Sequence, residues 1–359
     1  MDATLWVKLI VSIPGVLAIL YYSEAQILPN FLESSTSHKN YNSEDITIFE
    51  NGKFEVTKPI EVEKSKFSAP EPLLVVSPYQ PGLYPILLFV HGTLISNEDY
   101  SDLFQRIVSH GFIVVAPKLF SIFNFPSEED EIEMVVSVAN WLPSNLQDVL
   151  HERVGEGVEG DLNKLAISGH SRGGKSAFGV TLGLSKTKLT VNISALIGVD
   201  PVAGSNKNDR TQPHVLTYVP NSFNLSIPVT IIGTGLGNQT NFLLPPCAPN
   251  YVNHQEFYVE CKESSHFVIL KYGHMQMLND YVDPIASYVS LVCESGDGLK
   301  STMRRTVSGI MVAFLDAYFG DDGGRQYFAI LANPSLTPTR VYVEKKGNFG
   351  LPRNHYAQV

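Results

Sequence analysis

The most informative segment of the sequence is residues 165–178, which read Leu165-Ala166-Ile167-Ser168-Gly169-His170-Ser171-Arg172-Gly173-Gly174-Lys175-Ser176-Ala177-Phe178. An apolar run that is typical of a buried strand leads into the pattern Gly-x-Ser-x-Gly, and small residues typical of a helix follow. This order predicts a nucleophile elbow, a sharp strand-to-helix turn that presents Ser171 above a sheet. A glycine-rich surface turn is the alternative interpretation, and the flanking strand and helix patterns argue against it.

Apolar runs recur along the chain and alternate with helix-like segments. The runs have the continuous apolar character of strands buried on both faces, and they lie at residues 86–90, 112–117, 165–168, 195–199, 227–233 and 267–270. Helix-like segments lie at residues 96–109, 127–142, 174–184 and 301–318, and Pro143 is expected to end the second of them. Asn51-Gly52 predicts a β-hairpin near the N-terminus. The alternation predicts an α/β fold with a mostly parallel central sheet and helices on both faces.

Polar residues of catalytic chemistry follow four of these predicted strands. They are His91, Ser171, Asp200 and His274. The carboxyl ends of parallel strands are where such sheets carry their sites. A serine hydroxyl needs a base, and that base needs a partner that holds its tautomer. Ser171, Asp200 and His274 occur in the chain order nucleophile, acid, histidine, so we predict an α/β-hydrolase fold with these three residues as the catalytic triad.

Other carboxylates and imidazoles compete for two of these roles. Asp209 lies in a polar turn, and Asp280 and Asp283 come after the proposed base, which breaks the chain order. His254 lies in a long loop, where it would line a pocket. His266 is expected to precede its strand and therefore to lie at the wrong end of the sheet.

The tetrahedral oxyanion of acyl transfer needs two N–H donors. One is expected from the backbone of Arg172, the residue after the nucleophile. The other is expected from the loop that follows the first buried strand, His91-Gly92-Thr93, and we assign it to the backbone of Thr93.

Charge and composition restrict the class of protein. The chain has 359 residues and a formal net charge of −10, which argues against nucleic-acid binding. The length suffices for one large domain with a sizeable core. The sequence has neither a Cys/His cluster at metal spacing nor a phosphate-loop lysine motif, so we expect no cofactor and no metal.

Residues 1–25 have the pattern of a targeting segment. Lys8 precedes a mostly apolar run at residues 9–22, and Ser23-Glu24-Ala25 follows with small residues at the positions that a signal peptidase reads. The run is short for a membrane span, so we expect a signal peptide for the secretory pathway (ER, vacuole or extracellular). An uncleaved membrane anchor is the alternative. The segment is neither Arg-rich nor Ser-rich, which argues against a chloroplast transit peptide.

Domain boundaries follow from composition. We expect a catalytic domain over residues 26–320 and a peripheral C-terminal tail over residues 321–359. A Gly/Pro/Asn-rich insertion near residues 235–265 interrupts the domain, and a loop of that length is typically functional or a lid. Cys247, Cys261 and Cys293 leave three disulfide pairings open, of which the first with the second closes the shortest loop; three buried thiols are the alternative.

Several further segments resemble those of the plant chlorophyllase family, in the same order, over about residues 45–320. They are residues 109–117, 169–175, 194–202, 245–249, 252–254 and 272–274, which read SHGFIVVAP, GHSRGGK, SALIGVDPV, PPCAP, VNH and YGH. The resemblance implies hydrolysis of the ester that joins the propionate side chain of chlorophyll to phytol. It also implies Ser171 as nucleophile, Asp200 as acid and His274 as base. One position departs from the family, which usually has an aromatic residue after His-Gly where this chain has Thr93.

A phytyl ester is a lipophilic substrate and requires an apolar trough. Phe242, Leu243 and Leu244 are the candidate wall, unless they pack into the core. Such a substrate also implies contact with a membrane surface, and the family resemblance allows a chloroplast location. A general secreted carboxylesterase or lipase would share the triad. A non-catalytic receptor on the same fold is a further alternative, against which the intact triad argues.

Overall fold

The computed structural model describes residues 46–120, 125–242, 244–320 and 323–347. The expected signal peptide or anchor at residues 1–25 lies outside the described residues, as does Leu243 of the candidate trough wall. Within those ranges, none of the helices has the length and apolar character needed to span a membrane.

A mixed sheet of nine strands crosses the described part of the chain, in the order β1-β2-β4-β3-β5-β6-β9-β10-β11. The strands are β1 (Ile60–Val62), β2 (Leu73–Val76), β3 (Gly82–Val90), β4 (Ile113–Pro117), β5 (Val158–His170), β6 (Ala195–Val199), β9 (Val229–Thr234), β10 (Ser264–Ile269) and β11 (Val341–Lys346). A separate two-stranded ribbon joins β7 (Gly204–Asn206) to β8 (Asp209–Arg210). The six strands from β4 to β10 pair in parallel, and the edge pairs β1–β2, β2–β4 and β10–β11 are antiparallel. The predicted mostly parallel sheet is therefore confirmed.

Helices cover both faces of this sheet. They are α1 (Ser101–Ser109), α2 (Glu128–Arg153), α3 (Arg172–Thr181), α4 (His254–Glu260), α5 (Pro284–Val292), α6 (Lys300–Phe319) and α7 (Arg325–Ala332). Short 3₁₀ turns occur at Lys66–Ser68, Asn97–Tyr100 and Pro334–Leu336. Phe89 of β3 packs with the buried faces of α1, α6 and α7, whereas Leu88 packs with those of α2, α3 and α4. Alternate side chains of a strand point to opposite faces, so a continuous apolar run supplies both cores.

Helix α2 is longer than the sequence predicts. Its N-terminus is capped as expected, because the hydroxyl of Ser127 accepts a hydrogen bond from the backbone N–H of Asp130 at 3.1 Å. Pro143 does not end the helix, which continues to Arg153. The side chain of Pro143 is exposed, while Leu146 in the following turn is buried. Burial of the second half of α2 thus compensates for the hydrogen bond that proline removes.

The β-hairpin predicted around Asn51-Gly52 is not formed. The backbone N–H of Gly52 donates to the hydroxyl of Ser109 at 2.8 Å, and that of Phe54 donates to the Ser109 carbonyl oxygen at 3.0 Å. A Cβ on Gly52 would lie 2.0 Å from the same carbonyl oxygen. The glycine therefore permits close packing against the end of α1 instead of a turn between two strands.

The segments expected as an insertion and as a peripheral tail both contain regular structure. The segment near residues 235–265 includes helix α4 and connects the parallel strands β9 and β10. The tail expected to be peripheral contains α7 and β11, which pairs along the whole of β10. Tyr327 of α7 is fully buried. This segment covers the edge of β10 and adds α7 to the core. The apolar residues of the tail are too sparse in the sequence to indicate either role.

Candidate active site

Ser171 lies at the turn between β5 and α3. Its backbone has φ 57° and ψ −125°, a conformation that is strained for a residue with a side chain. The turn is held by hydrogen bonds from the Ser171 N–H to the carbonyl oxygen of Val199, at 3.0 Å, and from the Val202 N–H to the Ser171 carbonyl oxygen, at 3.1 Å. The side chain is 8% exposed. This is the geometry of a nucleophile elbow.

Two glycines make the turn sterically feasible. A Cβ on Gly169 would lie 2.2 Å from the carbonyl oxygen of Gly173, and one on Gly173 would lie 2.3 Å from that of Val90. The strand before the serine, the helix after it and the end of β3 therefore approach closely enough that only glycine fits. The spacing of Gly-x-Ser-x-Gly is explained by these two contacts.

Asp200 and His274 come together at the neighbouring strand ends. The Nδ1 atom of His274 lies 2.7 Å from Oδ2 of Asp200, and both side chains are buried. Thr234, the last residue of β9, donates its hydroxyl to Oδ2 at 2.5 Å and its N–H to Oδ1 at 3.2 Å. The carboxylate thus has three donors, and the contact with Asp200 uses only the Nδ1 side of the His274 ring.

The environment of Asp200 keeps it ionised. Burial by itself would raise the pKa of this carboxyl group, but the hydrogen bond and charge of His274, then His254 and Thr234, outweigh it and hold the pKa at about 2. An ionised partner fixes the Nδ1–H tautomer of His274 and stabilises the imidazolium form.

His170, the residue before the nucleophile, links three loops. Tyr100 accepts a hydrogen bond from the N–H of Gly92 at 3.1 Å and contacts Nδ1 of His170 at 2.7 Å. Nε2 of His170 lies 3.1 Å from the carbonyl oxygen of His274. Because a carbonyl only accepts, His170 donates from Nε2 and accepts at Nδ1 from the Tyr100 hydroxyl. Burial, and then the charge of His274, lower the pKa of His170, consistent with the neutral ring.

His91 is a structural residue in this arrangement. Its Nε2 accepts the backbone N–H of Leu119 at 3.0 Å, and its Nδ1 lies 3.0 Å from the carbonyl oxygen of Gly92. Burial lowers the pKa of His91 to about 4. The loop that it stabilises also carries Thr93. Since the Gly92 N–H is already donated to Tyr100, the next amide, that of Thr93, suits an oxyanion donor, and the assignments of Thr93 and Arg172 stay predictions.

The side chain of Arg172 points away from the chemistry into a buried charge cluster. Its Nε donates to Glu131 at 2.5 Å, and its guanidinium lies over Phe125 at 4.7 Å. Lys175, one turn further along α3, forms an ion pair with Glu128 and donates to Thr211. Both carboxylates belong to the first turn of α2. Ion pairs with this many hydrogen bonds fix the two helices against each other beneath the elbow.

The competing histidines have other positions than the sequence indicates. His266 lies within β10 and not before it, because the strand begins at Ser264. His254 begins α4, and its ring is buried near Asp200, with Nε2 3.9 Å from Oδ1. Tyr100 and Thr234 are two residues of the site that the sequence does not predict. Neither lies in a recognisable motif, and both reach the site through tertiary contacts.

The structure shows which cysteines pair and whether the apolar residues of the loop after β9 are exposed. Cys247 and Cys293 form a disulfide, and Cys261 is a buried free thiol. The shortest loop is therefore not the one that is closed, and the alternative of three reduced thiols is also wrong. Phe242 is 89% exposed and Leu244 is 43% exposed, so neither packs into the core.

Comparison with known proteins gives one consistent result. The family model for chlorophyllases matches residues 44–347. Chlorophyllase type 0 of Chenopodium album is 61% identical over 359 residues, which cover 98% of this chain and 99% of the relative. Chlorophyllase-1 of Arabidopsis thaliana is 43% identical over 299 residues, or 82% of this chain and 90% of the relative. For the chloroplastic chlorophyllase-1 of Citrus unshiu the identity is 41% over 292 residues, or 79% and 84%.

The family match extends past residue 320 to the end of β11, in agreement with the helix and strand found there. With the match covering most of the chain and the elbow, carboxylate and histidine in place, the chain belongs to the chlorophyllase family of carboxylic ester hydrolases.

Proposed function

We propose that this chain hydrolyses the phytyl ester of chlorophyll to chlorophyllide and phytol, with Ser171, Asp200 and His274 as the catalytic triad. The observation that carries the proposal is the 2.7 Å pair of Asp200 and His274 at the strand ends next to a serine in elbow geometry. Relatives that are named chlorophyllases support the choice of substrate. The reaction needs no group beyond these side chains, two backbone amides and water.

The first half of the reaction transfers the acyl group to the enzyme. Oγ of Ser171 attacks the ester carbonyl carbon while Nε2 of His274 takes the hydroxyl proton. The negative charge moves to the carbonyl oxygen, where the N–H groups of Arg172 and Thr93 stabilise it. The C–O bond to phytol then breaks, and His274 returns its proton to the leaving alkoxide. Phytol departs, and the propionyl group stays on the serine as an ester.

The second half releases chlorophyllide. A water molecule loses a proton to His274 and attacks the acyl carbon, and the same two amides hold the second oxyanion. Collapse breaks the bond to Ser171, which regains its proton from His274. Asp200 stays ionised throughout, because its donors hold its pKa at about 2. Its charge stabilises each imidazolium that forms on the neighbouring ring.

Thr93 distinguishes this chain within the proposed mechanism. The backbone of Thr93 supplies a donor whatever its side chain, whereas an aromatic side chain would add an apolar wall to the site. The exposed rings and methyl groups of Phe242 and Leu244 offer a replacement wall for a lipophilic chain.

We also propose that helix α5 docks on an uncharged lipid surface, from which the substrate enters. The helix carries no charged side chain from Pro284 to Val292, and Leu291 remains 73% exposed. Asn241, next to Phe242, donates to the carbonyl oxygen of Leu291 at 2.8 Å, so the two apolar elements adjoin. Acidic residues flank α5 at both ends, namely Asp280, Asp283, Glu294 and Asp297. They disfavour anionic headgroups, which is why we propose uncharged ones.

For localisation we propose entry into the secretory pathway, on the pattern of residues 1–25. The citrus relatives carry the word chloroplastic in their names, which supports the alternative of the chloroplast. Expression of the full chain with a C-terminal fluorescent protein in leaf cells tests this. Fluorescence in the endoplasmic reticulum, vacuole or apoplast supports the secretory assignment, and fluorescence confined to plastids overturns it.

The main experiment measures chlorophyllide release from detergent-dispersed chlorophyll a by the full chain, with Ser171→Ala alongside. Release that disappears in the variant supports both substrate and nucleophile. If chlorophyll is not cleaved but short p-nitrophenyl esters are cleaved through Ser171, the result favours a general carboxylesterase over a chlorophyllase. Thr93→Phe then tests whether the missing aromatic wall is responsible. Folded protein that turns over neither substrate overturns the enzymatic proposal in favour of a receptor.

The lipid proposal is tested by co-sedimentation with vesicles of neutral galactolipid or of anionic phosphatidylglycerol. Binding to the neutral vesicles is expected to fall at least several-fold in Leu291→Ser, while hydrolysis of soluble p-nitrophenyl esters persists. Leu83→Ser is the matched control. Leu83 is 61% exposed and lies at the N-terminal end of β3, the end away from the candidate active site. Equal loss in both variants, or preference for the anionic vesicles, contradicts the proposal.

A further inference from the structure

A chain of three titratable side chains extends from the acid of the triad to the protein surface. His254 lies with Nε2 3.9 Å from Oδ1 of Asp200, and its Nδ1 is 2.8 Å from Nε2 of His266. Nδ1 of His266 is in turn 3.3 Å from Oε2 of Glu344. The two imidazoles are buried, whereas the Glu344 side chain is 38% exposed. We call His254, His266 and Glu344 the histidine relay.

The fold places each member by a separate constraint. His254 is the first residue of α4, and Gly233 of β9 makes space for its ring, since a Cβ there would lie 2.4 Å from the imidazole. His266 and Glu344 face each other as direct partners in the antiparallel pair of β10 and β11. Tyr342, two residues before on the same strand face, donates its hydroxyl to Glu344 at 2.9 Å. The relay therefore depends on the C-terminal strand.

Hydrogen-bond chemistry fixes the protons of this relay. His254 hydrogen-bonds to the backbone of Thr234, and its Nε2 faces the carboxylate of Asp200, which only accepts, so this nitrogen carries a hydrogen. A neutral His254 then accepts at Nδ1, and His266 must donate from Nε2. The remaining nitrogen of His266 faces Glu344. A hydrogen on that nitrogen would be donated to the carboxylate and would satisfy both groups.

We propose that His254 is a positioning residue for Asp200, and that His266 and Glu344 hold its Nε2–H toward the carboxylate. The inference deepens the proposed function, on which it rests for its catalytic consequence. A donor dipole with a positive charge behind it stabilises the ionised acid. The same charge repels a positive charge on the nearby imidazole of His274. Relay and triad are thus coupled electrostatically, with no proton passing between them.

Other titratable groups around the relay act on it as well. Tyr258 of α4 stacks on the His266 ring at 4.8 Å, and the ammonium group of Lys346 lies 4.8 Å over the Tyr258 ring. Cys261, at the end of α4, is a thiol whose pKa burial raises to about 12, so it stays neutral. Lys346 opposes a positive His266, and the Glu344 carboxylate, whose pKa the hydrogen bond of His266 lowers, favours it.

The first test is spectroscopic and does not depend on activity. In the full chain labelled with ¹⁵N-histidine, the imidazole nitrogen shifts at pH 7 are expected to show His254 as the Nε2–H tautomer and His266 with hydrogens on both nitrogens. The His254→Gln and Glu344→Gln variants assign the signals. Loss of the second hydrogen from His266 is expected in Glu344→Gln. A neutral His266, or a hydrogen on Nδ1 of His254, in the wild-type chain overturns the proposal.

The second test is the pH dependence of kcat/KM on a short p-nitrophenyl ester. Glu344→Gln is expected to leave His266 without its second hydrogen, and so to move the acidic limb upward by about 0.5 pH unit. Glu61→Gln removes a carboxylate at an exposed position of β1, at the other edge of the sheet, and is expected to leave the profile in place. Equal pH profiles for the wild type and Glu344→Gln would contradict the proposed electrostatic coupling between the relay and the triad.

A third comparison separates positioning from folding. His254→Phe keeps a ring but no donor, and a fall in kcat of about 10-fold with little change in KM is expected. His254→Gln keeps an N–H donor and is expected to recover most of that loss. If Gln fails as badly as Phe in folded protein, the role of His254 is packing alone. Absence of esterase activity in the wild type would contradict the proposed function and leave the spectroscopic result intact.

Discussion

The Nε2 atom of His170 donates to the carbonyl oxygen of His274 over 3.1 Å. The residue before Ser171 thus supports the loop that carries His274. The opposite nitrogen of His170 receives the hydroxyl of Tyr100, which also accepts the N–H of Gly92. One hydrogen-bonded chain therefore fixes the loop at Gly92, the turn at Ser171 and the loop at His274 relative to one another.

Removal of one hydroxyl tests this chain. In Tyr100→Phe the Gly92 N–H and Nδ1 of His170 both lose a buried partner. We expect stability to fall by about 1–3 kcal/mol and kcat to fall by about 10-fold, because the loops of the site are less well fixed. Urea unfolding and esterase kinetics measure the two effects. Tyr84→Phe is the control, since its hydroxyl donates to the Gln80 carbonyl oxygen at 2.7 Å, away from the site; an equal loss of kcat there would contradict the interpretation.

Acid sensitivity follows from a buried neutral histidine. The pKa of His91 is about 4 in the folded protein because of burial and 6.5 in its ordinary state. The folded form binds the proton more weakly, so stability is lost as pH falls from about 6.5 toward 4. Integration gives a loss of about 2 kcal/mol from His91 between pH 7 and pH 5.

Unfolding in urea at the two pH values measures that loss. In His91→Gln the drop from pH 7 to pH 5 is expected to shrink by about 2 kcal/mol, whatever the cost of the substitution at pH 7. His214→Gln, at an exposed position, is expected to keep the full drop. An unchanged drop in His91→Gln would show that His91 does not titrate in this range.

A single methyl group is expected to destroy the elbow. The Cβ of Gly173→Ala would lie 2.3 Å from the carbonyl oxygen of Val90, so β3 and α3 must separate. We expect a loss of stability above about 3 kcal/mol and no measurable esterase activity. Gly183→Ala is matched in chemistry: its φ of +73° imposes strain, but nothing lies within 4 Å. It is expected to cost only about 1 kcal/mol. Thermal melting of both proteins decides the comparison, and similar melting temperatures would refute the steric argument.

The disulfide is expected to stabilise the loops around the site. Cys247 and Cys293 are 46 residues apart in sequence. The cross-link lowers the conformational entropy of the unfolded chain, which stabilises the folded protein by about 4 kcal/mol. Cys247→Ser, or reduction of the wild type, should lower stability by up to that amount. Cys261→Ser should leave the effect of reductant unchanged, because its thiol is buried and unpaired. Resistance of the wild type to reductant with no change in melting would contradict this.

Much of the fold, and the positions of Ser171, Asp200 and His274 at strand ends, could be predicted from the sequence because the signals are local. Buried parallel strands are continuous apolar runs, and Ser171, Asp200 and His274 each follow one of them. The contacts that could not be predicted from the sequence join residues that are far apart along the chain. The hydroxyl of Tyr100 reaches His170 across 70 positions, and that of Thr234 reaches Asp200 across 34. No periodicity records such contacts.

Local rules also gave wrong predictions where tertiary packing is stronger. Pro143 is a helix terminator by propensity, yet burial of the following turn carries α2 past it. Asn51-Gly52 is a hairpin signal, yet its glycine is used for contact with Ser109. Similarly, the pairing of Cys247 with Cys293 depends on where α5 lies, which sequence spacing does not encode.

Strand β11 lies at the outer edge of the sheet, although it is the last strand of the described chain. During synthesis, therefore, one edge of β10 stays unpaired until more than 70 further residues have been added and Val341 has been made. A chain cut short by a premature stop codon or by a protease before that point exposes this edge to other chains, and strand pairing between them leads to aggregates. Messages that encode such fragments would thus produce insoluble protein and not a smaller enzyme.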